Sequence, residues 1–205
     1  MAIAYSGGSG VTGTSSIGVT TTKDDSLICY SMGDYGSTTA PVRDGVSATV
    51  LNGMTQIWSN TSGMGVWWWA RPSIGTYNIT RAGSTVTAIA YAKFTGVNKS
   101  LTPVVTYAES CSNFSLSPTP VDGGASFIAH GVVAGYTTLS GDHTSIYAHN
   151  GFVYTTAWDE GGRIMYALGD GTSQSATLGK NGNAHRYVNV ILVPAGESPA
   201  KVIIL

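Results

Sequence analysis

Residues Gly65–Arg81 read GVWWWARPSIGTYNITR. Two strand signals flank a breaker. GVWWW is short, apolar and aromatic, and Pro72 stops it because proline cannot donate to a ladder. GTYNITR alternates: Tyr77 and Ile79 fall on one side of an extended chain, Asn78 and Thr80 on the other. Neither half has the i, i+3, i+4 spacing of a helix face. The same geometry divides the three consecutive tryptophans. Trp67 and Trp69 project to one face and Trp68 to the opposite one. A buried aromatic gains roughly 1.5–3 kcal/mol over an exposed one, so at least one of those faces is expected in a core.

The rest of the chain repeats this style. Short runs rich in Val, Ile, Thr and aromatics alternate with Gly, Asn, Asp and Ser turns, the pattern of an all-β sandwich. Before the tryptophans lie AIAYS, TSSIGVTT, the continuous apolar run SLICYSMG, ATVL and MTQIWSN. After them STVTAIAYAKFTGV is the longest run, apolar on both faces and expected to be central. SNFSLSP, ASFIAHGVVA, GFVYTTAWD, GRIMYALGDG, SQSATLG, HRYVNVILVPA and KVIIL complete the set. Hairpin turns are expected at Asp159–Gly162, Gly169–Gly171 and Lys180–Asn183, the last on its Asn-Gly dipeptide. No sustained helical period, linker, repeat or composition shift divides the sequence. The expectation is therefore one domain, 1–205: a two-sheet antiparallel β-sandwich, jelly-roll-like, of roughly twelve to fifteen strands with no long helix.

Charge narrows the function. Only 10% of the 205 residues are charged and the net charge is −1, against roughly 25% charged in ordinary soluble domains. No basic footprint for nucleic acid exists, and no apolar run is long enough to insert in a membrane. A hydroxyl- and glycine-covered surface suits a protein assembled with copies of itself, a homo-oligomer, or with other proteins. The start, MAIAYSGGSG, has neither the basic nor the apolar segment of a signal peptide. Cys29 and Cys111 have no metal or redox spacing and are expected as free thiols.

Catalytic signatures are missing: no G-x-S-x-G, Walker loop, H-E-x-x-H or C-x-x-C occurs. No catalytic, cofactor or metal residue is assigned. Asp142, His143 and His149 share the stretch SGDHTSIYAHNG but fit no familiar ligand spacing, and are expected in a polar loop. His130 is expected as a strand histidine. Glu109 and Glu160 could serve a glycosidase only if the fold brought them together. The residues left for binding are the aromatics Trp58, Trp67, Trp68, Trp69 and Trp158, as an interface patch or a platform for stacking sugar rings. The apolar end segments, through Ile3 and Tyr5 and through Val202, Ile203 and Ile204, are candidate subunit contacts, or else strands of the chain's own core.

Several blocks taken in order carry a resemblance. They are SLICYSM (26–32), DGVSATVLNGMTQIWS (44–59), GVWWWARPSIGTYNIT (65–80), TAIAYAKFTGVNKSLTP (87–103) and RYVNVILVPA (186–195). This series resembles small β-sandwich structural proteins of tailed bacteriophages. The closest matches are Gly75-Thr76-Tyr77 and the block Tyr91–Pro103, within a loose similarity from Leu27 to Ala195. The family's Gly-Val-Asp stands here as Gly96-Val97-Asn98. The shared motifs are packing and turn signatures, and they bring no catalytic residue across. The resemblance implies a virion component without enzymatic activity, made in the host cytoplasm. It would be a capsid decoration or cement protein or a head fibre, whose partners are its own copies and other virion proteins. The alternative is a carbohydrate-binding adhesion module of a phage tail or other appendage, contacting host surface glycan through Trp58, Trp67, Trp69 or Trp158.

Overall fold

A computed structural model describes residues 1–13, 16–33, 41–43, 46–47, 54–59, 64–81, 86–111, 114–133, 136–153, 159–181 and 184–198. Every element among them is a strand and every pairing is antiparallel. The alternating β-branched and aromatic runs have become an all-β fold. No helix among the described residues is long and apolar enough to cross a membrane.

Where the sequence reading has one domain over 1–205, the chain divides into two compact units. The N-unit is Tyr5–Thr95, and the C-unit is Met1–Ala4 together with Gly96–Leu205. The N-unit carries β1 (Ala4–Thr12), β2 (Ser16–Thr21), β3 (Ser26–Gly33), β4 (Pro41–Arg43), β5 (Val46–Ser47), β6 (Thr55–Ser59), β7 (Gly65–Trp69), β8 (Gly75–Arg81) and β9 (Val86–Thr95). One sheet runs β1-β9-β3-β7-β6 and the other β2-β8-β4-β5. Ile17 and Val19 of β2 and Tyr77 and Ile79 of β8 meet Leu27, Cys29, Trp67, Trp69 and Ile89 of the larger sheet in one core. That is a two-layer sandwich built from the inward residues of each strand.

The C-unit carries β10 (Val104–Cys111), β11 (Phe114–Leu116), β12 (Ala125–Val133), β13 (Tyr136–Gly141), β14 (Thr144–Val153), β15 (Asp159–Leu168), β16 (Ala176–Asn181) and β17 (Ala184–Leu192). Its sheets run β10-β17-β12-β15-β14 and β11-β16-β13. Ile128 and Met165 of the first pack with Ala176 and Leu116 of the second.

The two units have one topology. Replacing β1, β9, β3, β7 and β6 by β10, β17, β12, β15 and β14 turns the first five-stranded sheet into the second. Replacing β2, β8 and β4 by β11, β16 and β13 does the same for the smaller sheets, except that β5 has no counterpart in the C-unit. The sequence reading finds no repeat, and this corrects it. What recurs is strand order and inward position, while the side chains at those positions differ. The pair Leu27↔Trp69 of the N-unit is matched by Ser126↔Ala167 in the C-unit, and Cys29↔Trp67 by Ile128↔Met165.

The hairpin expectations need correction too. Asp159–Gly162 belongs to β15, where Glu160, Gly161 and Gly162 pair with Val133, Val132 and Gly131; the partner strand overrides local turn chemistry. The stretch at 169–171 connects β15 to β16, strands of different sheets, and so is not a hairpin. Of the stretch at 180–183, Gly182 and Asn183 lie outside the described residues, and the strands on either side of it, β16 and β17, belong to different sheets. The longest run behaves as expected: on β9, Ala88, Ile89, Ala90 and Ala92 are all fully buried, so both faces of the strand are covered.

Candidate functional site

The tryptophans come first. Trp67 and Trp69 face inward beside Cys29 and Leu27, and Trp68 lies opposite Ile28 on the other face. The alternation is as the sequence implies. Trp69 crosses the sandwich to Tyr77 of the facing sheet, ring centroids 5.8 Å apart at 55°. Exposure decides their role: Trp67 is 0%, Trp69 3%, Trp68 4% and Trp58 8% exposed. None of these four offers a ring face to solvent, so the expected aromatic platform is not formed by them. Trp158 lies outside the described residues.

The end segments divide the same way. Ile3 is buried, and its N–H donates to Gly123 O at 2.7 Å. Tyr5 is half-buried with its ring edge-on to Phe94 at 5.9 Å. Both take part in the chain's own packing. Val202, Ile203 and Ile204 lie outside the described residues.

The resemblance-bearing blocks at Gly96–Asn98 and Leu192–Ala195 meet in the C-unit. Val97 bridges Pro194, Asn98 N–H donates to Val193 O at 2.8 Å, and Ala195 N–H donates to Gly96 O at 2.8 Å. Asn98 Nδ2 donates to Glu197 O at 3.0 Å, while its Oδ1 accepts from Ser100 N–H. Gly96 has φ +73°, and an added Cβ would collide with Ala2 O. Only glycine suits that position.

A second constellation pins the start of the N-unit. Asp25 is 2% exposed. Its carboxylate accepts from Ser6 Oγ at 2.6 Å, Thr22 N–H at 2.7 Å and Thr22 Oγ1 at 3.1 Å, with Lys93 Nζ at 4.0 Å. Burial alone raises its pKa. The hydrogen bonds from Ser6 and Thr22, with the charge on Lys93, outweigh that and hold the carboxyl below its ordinary range.

A third constellation is the one sequence reasoning missed. His143 is 5% exposed, not part of an open polar loop. Its Nε2 lies 3.0 Å from Ser126 Oγ and its Nδ1 3.1 Å from the Ser175 carbonyl. Ser126, fully buried, contacts Asn189 Oδ1 at 2.9 Å, and Asn189 Nδ2 reaches Thr106 Oγ1 at 3.4 Å. Asp142 accepts from Ser175 N–H at 2.7 Å and Ser175 Oγ at 2.8 Å. These bonds hold the Asp142 carboxyl below its usual range. Burial pushes His143 below the ordinary histidine value, against the pull of the Ser175 carbonyl and the Asp142 charge. The imidazole is therefore neutral at pH 7.

Other ionisable groups stay apart. Among the described residues no three His, Cys, Asp or Glu gather as metal ligands. Cys29 is a free, fully buried thiol whose pKa burial pushes far up. His130 is fully buried on β12. The backbones of Glu109 and Glu160 sit on β10 and β15, three strand spacings apart in the sheet. Arg186 is 6% exposed and its Nη1 has no hydrogen-bond partner.

Comparison of the chain with protein-family models, curated proteins and solved structures finds no match.

Proposed function

We propose that the chain is a non-enzymatic structural protein of a tailed-phage particle, a capsid decoration, cement or head-fibre component working through protein–protein contacts. One observation carries the reading: a duplicated β-sandwich fold with only 10% charged residues. A low-charge, hydroxyl-rich surface disperses poorly as a lone monomer and suits repeated packing against neutral partners. We also read each unit as a jelly roll. The first strand lies beside the last, and the chain passes repeatedly between layers, an architecture that builds viral capsid and lectin domains. The resemblance through Tyr91–Pro103 and Arg186–Ala195 adds to this, since those blocks hold the C-unit's ends together. Assembly would bury roughly 1,200–2,000 Å² per contact, repeated by symmetry.

The carbohydrate-binding alternative rests on exposed aromatic rings. With Trp58, Trp67, Trp68 and Trp69 buried, its named platform is reduced to Trp158, so the structural role is preferred. Mass spectrometry of purified particles from the phage encoding the chain is the test. Recovery in fixed ratio to the major capsid or tail proteins supports the proposal. Its absence from washed particles, with the protein found only free in the lysate, defeats it.

A further inference from the structure

The duplicated topology allows the two five-stranded sheets to be compared row by row, and one row has changed its chemistry. Three register steps along from Cys29↔Trp67, the N-unit sets Ala88 of β9 opposite Met32 of β3, with Met64 next in line before β7. All three are fully buried. Three steps along from the corresponding pair Ile128↔Met165, the C-unit sets Arg186 of β17 opposite Gly131 of β12, with Gly162 of β15 beyond it. The neighbouring row on the same face is apolar and fully buried in both units. It is Ala90, Tyr30 and Val66 in one, and Val188, Ala129 and Ile164 in the other. An alanine and two methionines in the N-unit thus correspond to an arginine and two glycines in the C-unit.

Arginine brings a charge to that row and glycine brings room. The guanidinium stays protonated at every ordinary pH. Arg186 is 6% exposed, and its Nη1 is buried without a hydrogen-bond partner. Among the described residues no carboxylate forms an ion pair with it. A buried charge is tolerated only when an opposite charge and hydrogen bonds compensate it. Such a group calls for an acceptor of single negative charge, and burial decides its size. The adjoining Val188, Ala129 and Ile164 are fully buried, so the side chain of another protein has no path to Nη1. An ion of one or a few atoms needs only the space that Gly131 and Gly162 leave in the row.

We propose that the C-unit binds a small monovalent anion, of the size of chloride, through the Arg186 guanidinium in the row it shares with Gly131 and Gly162. The ion accepts from Nη1–H, and the two glycines give it room at positions that Met32 and Met64 fill in the N-unit. One positive charge is met by one negative charge, whereas a divalent anion would leave an excess charge buried among apolar side chains. This site goes beyond the assembly reading and does not depend on it. Two carboxylates of the chain compete for the same role, because their backbones lie beside the row. Glu109 of β10 stands opposite Arg186, and Glu160 of β15 is two residues before Gly162. If either one neutralised Arg186, no ion would be held.

Urea unfolding of the full chain tests this at pH 7 and fixed ionic strength, with sodium chloride replacing sodium gluconate, whose anion is too large for the row. At saturating chloride the folding equilibrium constant is expected to rise about tenfold for each further tenfold increase in chloride, since one ion is released on unfolding. The triple variant Arg186→Ala, Gly131→Met, Gly162→Met copies the N-unit's row and should lose the response. No chloride response in the native chain, or the same response in the variant, overturns the proposal. Glu109→Gln and Glu160→Gln should each keep the native slope. A steeper slope in either identifies that carboxylate as the partner of Arg186 and defeats the ion. If the triple variant does not fold, crystals of the native chain grown in bromide decide. Anomalous scattering within hydrogen-bonding reach of Arg186 Nη1 supports the site. Its absence there, or a Glu109 or Glu160 carboxylate in that place, overturns it.

Discussion

Trp67 shows what a single residue does here. Among the described residues it is the largest fully buried side chain, and its indole N–H has no hydrogen-bond partner. Its value is volume and apolar area, with no polar bond in return. Trp67→Ala should cost about 3–5 kcal/mol in urea unfolding, while Trp67→Phe, which also removes the unpaired N–H, should cost clearly less. Gly96 is the opposite case, a residue defined by what it lacks. Gly96→Ala forces a side chain onto Ala2 O at φ +73° and should lower stability by about 1–3 kcal/mol, read as a lower thermal midpoint. The partition of Trp67 and Trp69 from Trp68 was legible because strand alternation is local. The burial of all three was not, because exposure depends on what covers each face. His143 was illegible for a related reason. The sequence shows it beside Asp142 in a polar stretch, and only the fold brings Ser126 and Ser175 to its two nitrogens.

At the scale of elements, Asp25 ties β1 to the turn before β3 through Ser6 and Thr22. Asp25→Ala leaves those donors without their acceptor. A hydrogen-bonded charge of this kind contributes about 1.5–3 kcal/mol, so the variant should unfold at lower urea, with β1 losing exchange protection first. The pH sign is opposite in origin to that of a raised group. The folded carboxyl titrates below the unfolded value of 3.8, so its contribution is whole above 3.8 and disappears as pH falls through the folded value. Wild type should lose more stability than Asp25→Asn between pH 5 and pH 2.5. Strand existence was legible in the alternating runs. Connectivity was not: Asp159–Gly162 has turn composition, yet the pairing of Gly161 and Gly162 with Val132 and Gly131 keeps it in β15.

At the scale of the whole molecule, the duplication explains why the sequence reads as uniform. Both units use one strand order, so composition never shifts at the junction near Gly96. The repeat itself was hidden because a sandwich fixes which positions face inward and leaves their size free to drift, as Leu27↔Trp69 and Ser126↔Ala167 show. The assembly proposal belongs here as well. Sedimentation of the purified chain should show mass rising with concentration, and sensitivity to added salt should be small, since few charges are available to be screened. A strictly monomeric protein at high concentration that also fails to bind particles would weigh against it.

The placement of Met1–Ala4 has a consequence in time. These residues belong to the C-unit, and Ile3 N–H is bonded to Gly123 O. On the ribosome Gly123 is added roughly 120 residues after Ile3, a delay of roughly 6–24 s at bacterial elongation rates of about 5–20 residues per second. All of Tyr5–Thr95 is made within that interval. The N-unit is thus complete in sequence while the segment leading into it is still waiting for its partners.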